Sequence, residues 1–267
     1  MSRLSDRLQA LGERDRKALV SFITAGDPNL DATVPALHGL VAGGADVLEL
    51  GVPFSDPEAE GPAIQASSER GLAQGTTLRK VLEMVRDFRS TDNDTPIVLM
   101  GYLNSVLAMG WKTFADAASS AGVDGLIMVN LPPEEAGELK PLLDARDIDL
   151  IFLVAPTTTA ERAEYIASKA SGFIYYVSLK GITGADHLQV ESVAENVGRL
   201  KRVARVPVLV GFGIKDAAAA CAVAEYADGV VVGSALVNTM FESAEAPADI
   251  PDRLAAQLGA IRTALDD

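Results

Sequence analysis

Residues 48–62 read Leu48-Glu49-Leu50-Gly51-Val52-Pro53-Phe54-Ser55-Asp56-Pro57-Glu58-Ala59-Glu60-Gly61-Pro62. The apolar run that ends at Leu50 predicts a buried strand with one carboxylate, Glu49, near its carboxyl end. Burying a carboxylate among leucine and valine side chains is costly, and proteins tolerate it mostly where the charge has a chemical task. The prolines and acids that follow are typical of a loop. We therefore interpret this stretch as a candidate site, with Glu49 on a rigid strand and further acids on the loop beside it.

The rest of the chain repeats the pattern of a short apolar run followed by a helical segment. The candidate strands are residues 18–24, 46–50, 96–101, 125–129, 149–154, 173–177, 207–211 and 228–232. The candidate helices are residues 31–42, 77–89, 111–121, 133–145, 159–170, 191–203, 216–225 and 250–265. Nearly continuous apolar strands favour a parallel sheet that is covered on both faces.

This alternation predicts an α/β protein in which residues 1–267 form a single (β/α)8 TIM barrel domain. A doubly wound open sheet is the alternative. That fold requires a glycine-rich phosphate fingerprint after its first strand, whereas the turn here reads Ala25-Gly26-Asp27-Pro28.

Composition limits the class of protein and its partners. The net charge is −14, which disfavours nucleic acid and anionic lipid as partners. No apolar run reaches the roughly 20 residues that a membrane helix requires, and the first residues lack the apolar segment of a signal peptide. The single cysteine, Cys221, excludes an internal disulfide and is typical of a reducing compartment. We therefore expect a cytoplasmic protein.

Two glycine-containing turns follow the last two candidate strands. Gly211-Phe212-Gly213 follows the seventh and opens a helix, and Gly233-Ser234 does the same after the eighth. Loops at these places commonly bind phosphate in TIM barrels, and free N–H groups at a helix start bind anions. Gly184, after the sixth strand, can add another N–H group. A very acidic chain could thus hold a phosphate with backbone dipoles, although the simpler interpretation, that these glycines only form turns, stays open.

Other polar residues fall on the same predicted face of the barrel. Tyr102 and Asn104 follow the third candidate strand, Asn130 follows the fourth, and Tyr175 lies in the sixth. The two histidines, at positions 38 and 187, have no cysteine or second histidine at ligand spacing, so the sequence predicts no metal site.

Five segments together resemble the tryptophan synthase α subunit family, in order and at that family's spacing: Phe22-Ile23-Thr24-Ala25-Gly26-Asp27-Pro28, Glu49-Leu50-Gly51-Val52-Pro53-Phe54-Ser55-Asp56-Pro57, Met100-Gly101-Tyr102-Leu103-Asn104, Gly181-Ile182-Thr183-Gly184 and Gly211-Phe212-Gly213-Ile214. The resemblance implies a (β/α)8 barrel that cleaves indole-3-glycerol phosphate to indole and glyceraldehyde 3-phosphate in tryptophan biosynthesis. It implies a retro-aldol lyase that uses no metal or organic cofactor. It also implies an allosteric α2β2 complex with a pyridoxal-phosphate β subunit.

The same resemblance implies roles for individual residues. Glu49 matches the family's acid/base glutamate, Glu60 stands where it has a second carboxylate, and Tyr175 matches its active-site tyrosine. Substrate contacts are expected from Phe22, Met100, Tyr102, Ile127 and Thr183. The phosphate site is expected at Gly184, Phe212, Gly213, Gly233 and Ser234, and contacts with the β subunit at Pro53, Phe54, Asp56 and Asn104.

Three residues depart from the family pattern, which reads Asp-Pro-(Leu or Met)-Ala-Asp-Gly-Pro in this loop. Glu58 replaces an apolar residue, Glu60 replaces aspartate, and Asn130 replaces an aspartate before Leu131-Pro132-Pro133. Glu60 keeps the charge but adds a methylene, and a displacement of about 1 Å can cost about a hundredfold in rate.

Several interpretations of these departures stay open. The site is a variant with reduced or retuned activity, or a site altered towards weak native activity or a different state. Alternatively, the chain is a catalytically silent α-type subunit that binds and allosterically activates β. A different phosphosugar enzyme on the same barrel, such as an isomerase, would require another layout of acids and no pocket of indole size.

Overall fold

The computed structural model, which describes residues 2–178, 187–211 and 213–267, contains eight parallel strands closed into a barrel. Each strand pairs with the next, and the last pairs with the first. In chain order they are β1 (Ala18–Thr24), β2 (Val47–Gly51), β3 (Ile97–Gly101), β4 (Gly125–Met128), β5 (Asp149–Val154), β6 (Ile174–Val177), β7 (Val208–Gly211) and β8 (Gly229–Val232). The predicted (β/α)8 architecture is confirmed, and the open doubly wound sheet is wrong. That residues 1–267 form one domain stays a prediction.

Helices surround the strands. In the described ranges they are α1 (Arg3–Gly12), α2 (Thr33–Ala42), α3 (Pro62–Ala73), α4 (Leu78–Arg89), α5 (Leu103–Met109), α6 (Trp111–Ala121), α7 (Leu139–Asp144), α8 (Ala160–Lys169), α9 (His187–Lys201), α10 (Ala217–Ala224), α11 (Ser234–Glu242) and α12 (Ile250–Asp266). Short 3-10 segments occur at Leu30–Ala32, Pro133–Gly137 and Pro247–Asp249. None of the helices described here combines the length and the apolar character needed to cross a membrane.

The observed helices differ from the predicted ones in a few places. The predicted helix 133–145 is divided into a 3-10 segment and α7, and the predicted helix 31–42 begins with a 3-10 turn. Helices α1, α3 and α5 were not predicted from the sequence. Pro62 occupies the first turn of α3, where its missing N–H group costs nothing because that group has no partner inside the helix.

Helix α1 closes the amino end of the barrel. Its three buried leucines, Leu4, Leu8 and Leu11, are spaced for one helical face. They join an apolar cluster with inward-facing residues of the strands, among them Val47 and Ile127. Because these apolar side chains fill the barrel interior at this end, the pocket inside the barrel lies towards the opposite end, where the strands finish.

A hydrogen bond recurs at the amino end of alternate strand pairs. A side chain just before each even-numbered strand accepts a hydrogen bond from an N–H group at the start of the preceding odd-numbered strand. The pairs are Asp46 with Leu19 at 2.9 Å, Asp124 with Ile97 at 2.8 Å, Ser171 with Leu150 at 2.9 Å, and Asp228 with Val208 at 2.8 Å. Cations balance the three aspartates: Arg262 lies 3.2 Å from Asp46, Arg89 lies 2.7 Å from Asp124, and Lys201 lies 2.6 Å from Asp228.

Candidate active site

A pocket of about 90 Å³ opens at the carboxyl ends of the strands. It is lined by Phe22, Glu49, Ala59, Glu60, Ile64, Met100, Val129, Leu153, Tyr175, Val177, Gly213, Val231, Gly233 and Ser234. Eight of these are residues for which the family resemblance implies a catalytic, substrate-binding or phosphate-binding role: Phe22, Glu49, Glu60, Met100, Tyr175, Gly213, Gly233 and Ser234. The pocket therefore combines two carboxyl groups, a phenol, an apolar wall and a glycine-rich rim.

Glu49 faces the barrel interior from β2, beside Phe22 on β1. Only 1% of its surface is exposed, and both carboxyl oxygens lack a hydrogen-bond partner within the described part of the chain. Burial raises the pKa of Glu49 to about 8, and the nearby charge of Glu60 adds to the rise. At neutral pH the group therefore keeps its proton, so it can act as an acid towards a bound substrate.

Glu60 lies on the loop between β2 and α3 and is half-buried. Burial raises its pKa to about 7. Glu49 is the more deeply buried of the two, so burial opposes its ionisation more strongly than that of Glu60. The pair therefore offers one acid and one carboxylate in the same pocket.

Tyr175 lies on β6 next to the space left by Gly211 on β7. A side-chain carbon on Gly211 would lie 2.2 Å from the Tyr175 hydroxyl oxygen, so glycine is required for the ring to take this position. Burial raises the pKa of the phenol well above its usual value, and the charges of Glu49 and Glu60 add to the effect. Tyr175 is therefore a protonated hydroxyl group that can donate a hydrogen bond inside the pocket.

The glycine-rich rim of the pocket is formed by Gly213, Gly233 and Ser234. Gly233 is the N-cap of α11 and Ser234 its first residue, so this turn opens a helix as predicted. Gly213 has a positive φ of 83°. The prediction that its turn also opens a helix is wrong, because α10 begins only at Ala217, where the side chain of Asp216 caps it by accepting the Ala219 N–H at 2.9 Å.

Three predicted site residues, Thr183, Gly184 and Phe212, lie outside the described residues. Two others have surroundings that the sequence did not indicate. Ile127 packs in the apolar cluster inside the barrel, whereas Val129, two residues further along, lines the pocket. Tyr102 stacks on Phe54 with ring centroids 4.9 Å apart, and its hydroxyl accepts the Ala59 N–H at 3.1 Å. Their contacts with substrate stay predictions.

The three departures from the family pattern have different surroundings. Glu60 lines the pocket, while Glu58 is exposed to solvent. Asn130 is also exposed, and its side-chain oxygen accepts the Leu103 N–H at 2.8 Å, which satisfies an amide at the start of α5. Its amide nitrogen lies 3.5 Å from the side-chain oxygen of Asn104. Asn130 thus has a structural role at α5 that an aspartate could also fill, since both residue types present an acceptor oxygen.

Six residues that line the pocket were not predicted from the sequence, and all are apolar: Ala59, Ile64, Val129, Leu153, Val177 and Val231. A signal was available for four of them. Side chains of a strand alternate between its two faces, so the residue two positions after an inward-facing core residue also faces inward. Ile64 gave no such signal because it lies on α3, a helix that was not predicted.

Glu49 makes the stability of the fold depend on pH. Its pKa is about 8 in the folded protein and 4.5 as a free side chain. Between pH 4.5 and pH 8, folding is therefore accompanied by the uptake of a proton by Glu49. The contribution of Glu49 to stability is therefore complete below pH 4.5, falls by about 1.4 kcal/mol per pH unit as pH rises, and is lost by about pH 8. Urea unfolding should show Glu49→Gln close to the unchanged protein at pH 5 and more stable at pH 8.5. Parallel stability curves for the two proteins would contradict this.

Within the described residues, no three histidine, cysteine, aspartate or glutamate side chains lie close enough to one another to hold a metal ion. The described residues that line the pocket offer carboxyl groups, hydroxyl groups and the backbone of the rim. Such groups can bind an anionic end of a ligand at the rim and move protons at its apolar end.

Comparison with known proteins gives a consistent picture. A model of the family described as tryptophan synthase alpha chain matches residues 8–266. The tryptophan synthase alpha chain of Laribacter hongkongensis is 56% identical over 266 residues, covering 100% of both chains. That of Marinobacter nauticus is 52% identical, covering 100% of this chain and 98% of its own. A crystal structure of tryptophan synthase subunit alpha from Legionella pneumophila has a TM-score of 0.93 and 45% identity, covering 100% of this chain and 99% of that one.

Proposed function

Because this chain belongs to the tryptophan synthase alpha chain family, we propose that Glu49 and Glu60 carry out the family's lyase reaction in the pocket described above. The chain is a carbon–carbon lyase of tryptophan biosynthesis, which cleaves indole-3-glycerol phosphate to indole and glyceraldehyde 3-phosphate. The observation that carries the proposed roles is the pair of carboxyl groups with raised pKa values, about 8 and about 7, in one apolar pocket.

Glu49 is proposed to move both protons of the reaction. Cleavage requires a proton on indole C3 and removal of the proton from the hydroxyl group of the adjacent glycerol carbon. Glu49 starts protonated because burial holds its pKa near 8, so it can protonate C3. The resulting carboxylate then takes the hydroxyl proton as the carbon–carbon bond breaks and the aldehyde forms. Glu49 ends in the state in which it began, so the protons balance.

Glu60 is proposed to act as an ionised group opposite the indole nitrogen. Protonation of C3 places positive charge on the ring, and a carboxylate near the N–H group stabilises that charge. Its pKa, about 7, leaves a large ionised fraction at neutral pH. Tyr175, Phe22 and Met100 complete the wall around the indole ring, since all three line the pocket.

The phosphate of the substrate is proposed to bind at the rim. Gly213, Gly233 and Ser234 lie there, and the first N–H groups of α11 have no partners within that helix, which makes its start a favourable site for an anion. This arrangement explains how a chain with a net charge of −14 can hold a phosphate, because the attraction is local. By the family resemblance, Gly184 and Phe212 are also proposed to bind the phosphate, and Thr183 the substrate.

The β subunit of tryptophan synthase is the proposed partner. The resemblance assigns contacts to Pro53, Phe54, Asp56 and Asn104, and the structure supports a common surface because Phe54 stacks on Tyr102 directly before α5, which carries Asn104. Since the reaction belongs to tryptophan biosynthesis, the protein is proposed to work in the cytoplasm. Residues 1–267 are proposed to form one domain.

The activity is tested by measuring indole released from indole-3-glycerol phosphate, with and without the β subunit. We expect the purified chain to release indole and glyceraldehyde 3-phosphate in equal amounts, and saturating β subunit to raise the rate. A chain that releases no indole under either condition, yet stimulates the reaction of the β subunit, would instead be a silent activating subunit. The presence of both carboxyl groups in one pocket favours the active enzyme.

A further inference from the structure

We propose that Gln65 is a positioning residue that holds Glu60 in place over the pocket. The inference rests on the role proposed for Glu60 and adds a residue to which neither the sequence analysis nor the lining of the pocket assigns a function. It concerns the loop between β2 and α3, which carries Glu60.

The Gln65 side chain binds the loop from the first turn of α3. Its Nε2 donates a hydrogen bond to the backbone oxygen of Glu60 at 2.8 Å and lies 3.5 Å from the backbone oxygen of Pro57. The backbone N–H of Gln65 bonds to the Gly61 oxygen at 3.0 Å, as the helix begins. One amide group therefore contacts the loop at Glu60 itself and again three residues earlier.

A second side chain holds the loop on the other side of Glu60. The hydroxyl of Tyr102 accepts the N–H of Ala59 at 3.1 Å, and its ring is fixed by stacking on Phe54. Glu60 is thus bracketed by a side chain from α3 and by one that follows β3. Because side chains from two separate elements form hydrogen bonds to the backbone here, the position of the Glu60 backbone is fixed. The half-buried Glu60 side chain therefore starts from a fixed position.

The helix that carries Gln65 is itself fixed to the barrel. The hydroxyl of Ser67 lies 2.6 Å from that of Thr24 at the end of β1, and both residues are buried. One turn later, Arg70 forms two hydrogen bonds to Asp27, at 2.6 and 2.8 Å. These contacts fix α3 to β1 and to the turn after it. Gln65 therefore holds the Glu60 backbone at a fixed position relative to the barrel.

Removing the donor should release the loop and displace the Glu60 carboxylate, and a displacement of about 1 Å can lower a rate by about a hundredfold. Gln65→Met keeps the length of the side chain but cannot donate a hydrogen bond. We expect it to lower kcat for indole release by about ten- to a hundredfold, with KM less affected. The matched control is Gln74→Met, at the exposed carboxyl end of the same helix, which should leave kcat and Tm unchanged.

A double-mutant cycle separates positioning from a general loss of structure. If Gln65 acts through Glu60, Gln65→Met should have no further effect on kcat in a protein that already carries Glu60→Gln. The titration of Glu60, followed by NMR, should also shift from about 7 towards 4.5 in Gln65→Met, because the released side chain becomes more exposed.

The outcomes distinguish this inference from the proposal on which it rests. If Glu60→Gln keeps full activity, the proposed role of Glu60 is wrong, whatever Gln65→Met does. If Glu60→Gln is impaired while Gln65→Met is as active as the Gln74→Met control, only the role of Gln65 is overturned. The same holds if Gln65→Met reduces kcat equally in both backgrounds, because the effect then does not pass through Glu60.

Discussion

Glu49→Gln is expected to lower kcat for indole release by about a hundredfold to ten-thousandfold, with little change in KM. Glutamine has nearly the same shape as the protonated acid that occupies this buried site, so substrate binding and folding should survive. It has no proton of suitable acidity for C3 and forms no carboxylate that could accept the hydroxyl proton. The loss should therefore fall on the chemical step.

Single-turnover measurements would show this most directly, because they separate the chemical step from binding and release. Glu49→Asp is the matched variant: it keeps the carboxyl group but withdraws it by one methylene, and we expect it to retain more activity than Glu49→Gln. A Glu49→Gln protein that cleaves substrate at the rate of the unchanged chain would exclude Glu49 as the proton carrier. Since Gln cannot ionise, the same variant should also lose whatever part of the pH–rate profile belongs to a group with a pKa of about 8.

Glu60→Gln is expected to lower kcat by about a hundredfold to a thousandfold, the usual effect of removing one group that stabilises developing charge. Glutamine can still accept a hydrogen bond from the indole nitrogen, but it carries no negative charge to oppose the positive charge on the ring. The effect should therefore be smaller for binding of the uncharged product indole than for the rate of cleavage.

Glu60→Asp is the informative comparison, because it restores the residue that the family pattern contains at this position. It keeps the charge and removes one methylene, so its activity should exceed that of Glu60→Gln. If Glu60→Asp is faster than the unchanged chain, the longer side chain of glutamate lowers the activity of the site. If it is slower, the loop positions a glutamate side chain better than an aspartate. Glu60→Gln with undiminished kcat would contradict a role in charge stabilisation.

The sequence predicted the barrel well because its strands are nearly continuous apolar runs with glycines and polar residues at their carboxyl ends. The predicted strand 18–24 coincides with β1, and the buried acid of β2 occupies the pocket. These features are local, so they can be read along the chain.

What the sequence did not reveal depends on contacts between distant segments. The apolar face of α1, formed by Leu4, Leu8 and Leu11, packs against inward-facing residues of strands that are distant in the sequence. The hydroxyl of Tyr102 accepts the N–H group of Ala59, 43 residues earlier in the chain, and no local pattern indicates this contact. The pKa values of Glu49 and Glu60 likewise follow from burial, which no local pattern measures.

The hydrogen bonds at the amino end of the barrel divide the eight strands into four modules, β1–β2, β3–β4, β5–β6 and β7–β8. Each module is closed by its own side-chain acceptor, Asp46, Asp124, Ser171 or Asp228. The same contact therefore recurs four times around the ring of eight strands, once in each of these pairs. None of the four hydrogen bonds crosses from one pair to the next, so a break in the chain between two pairs would leave all four of them within single segments.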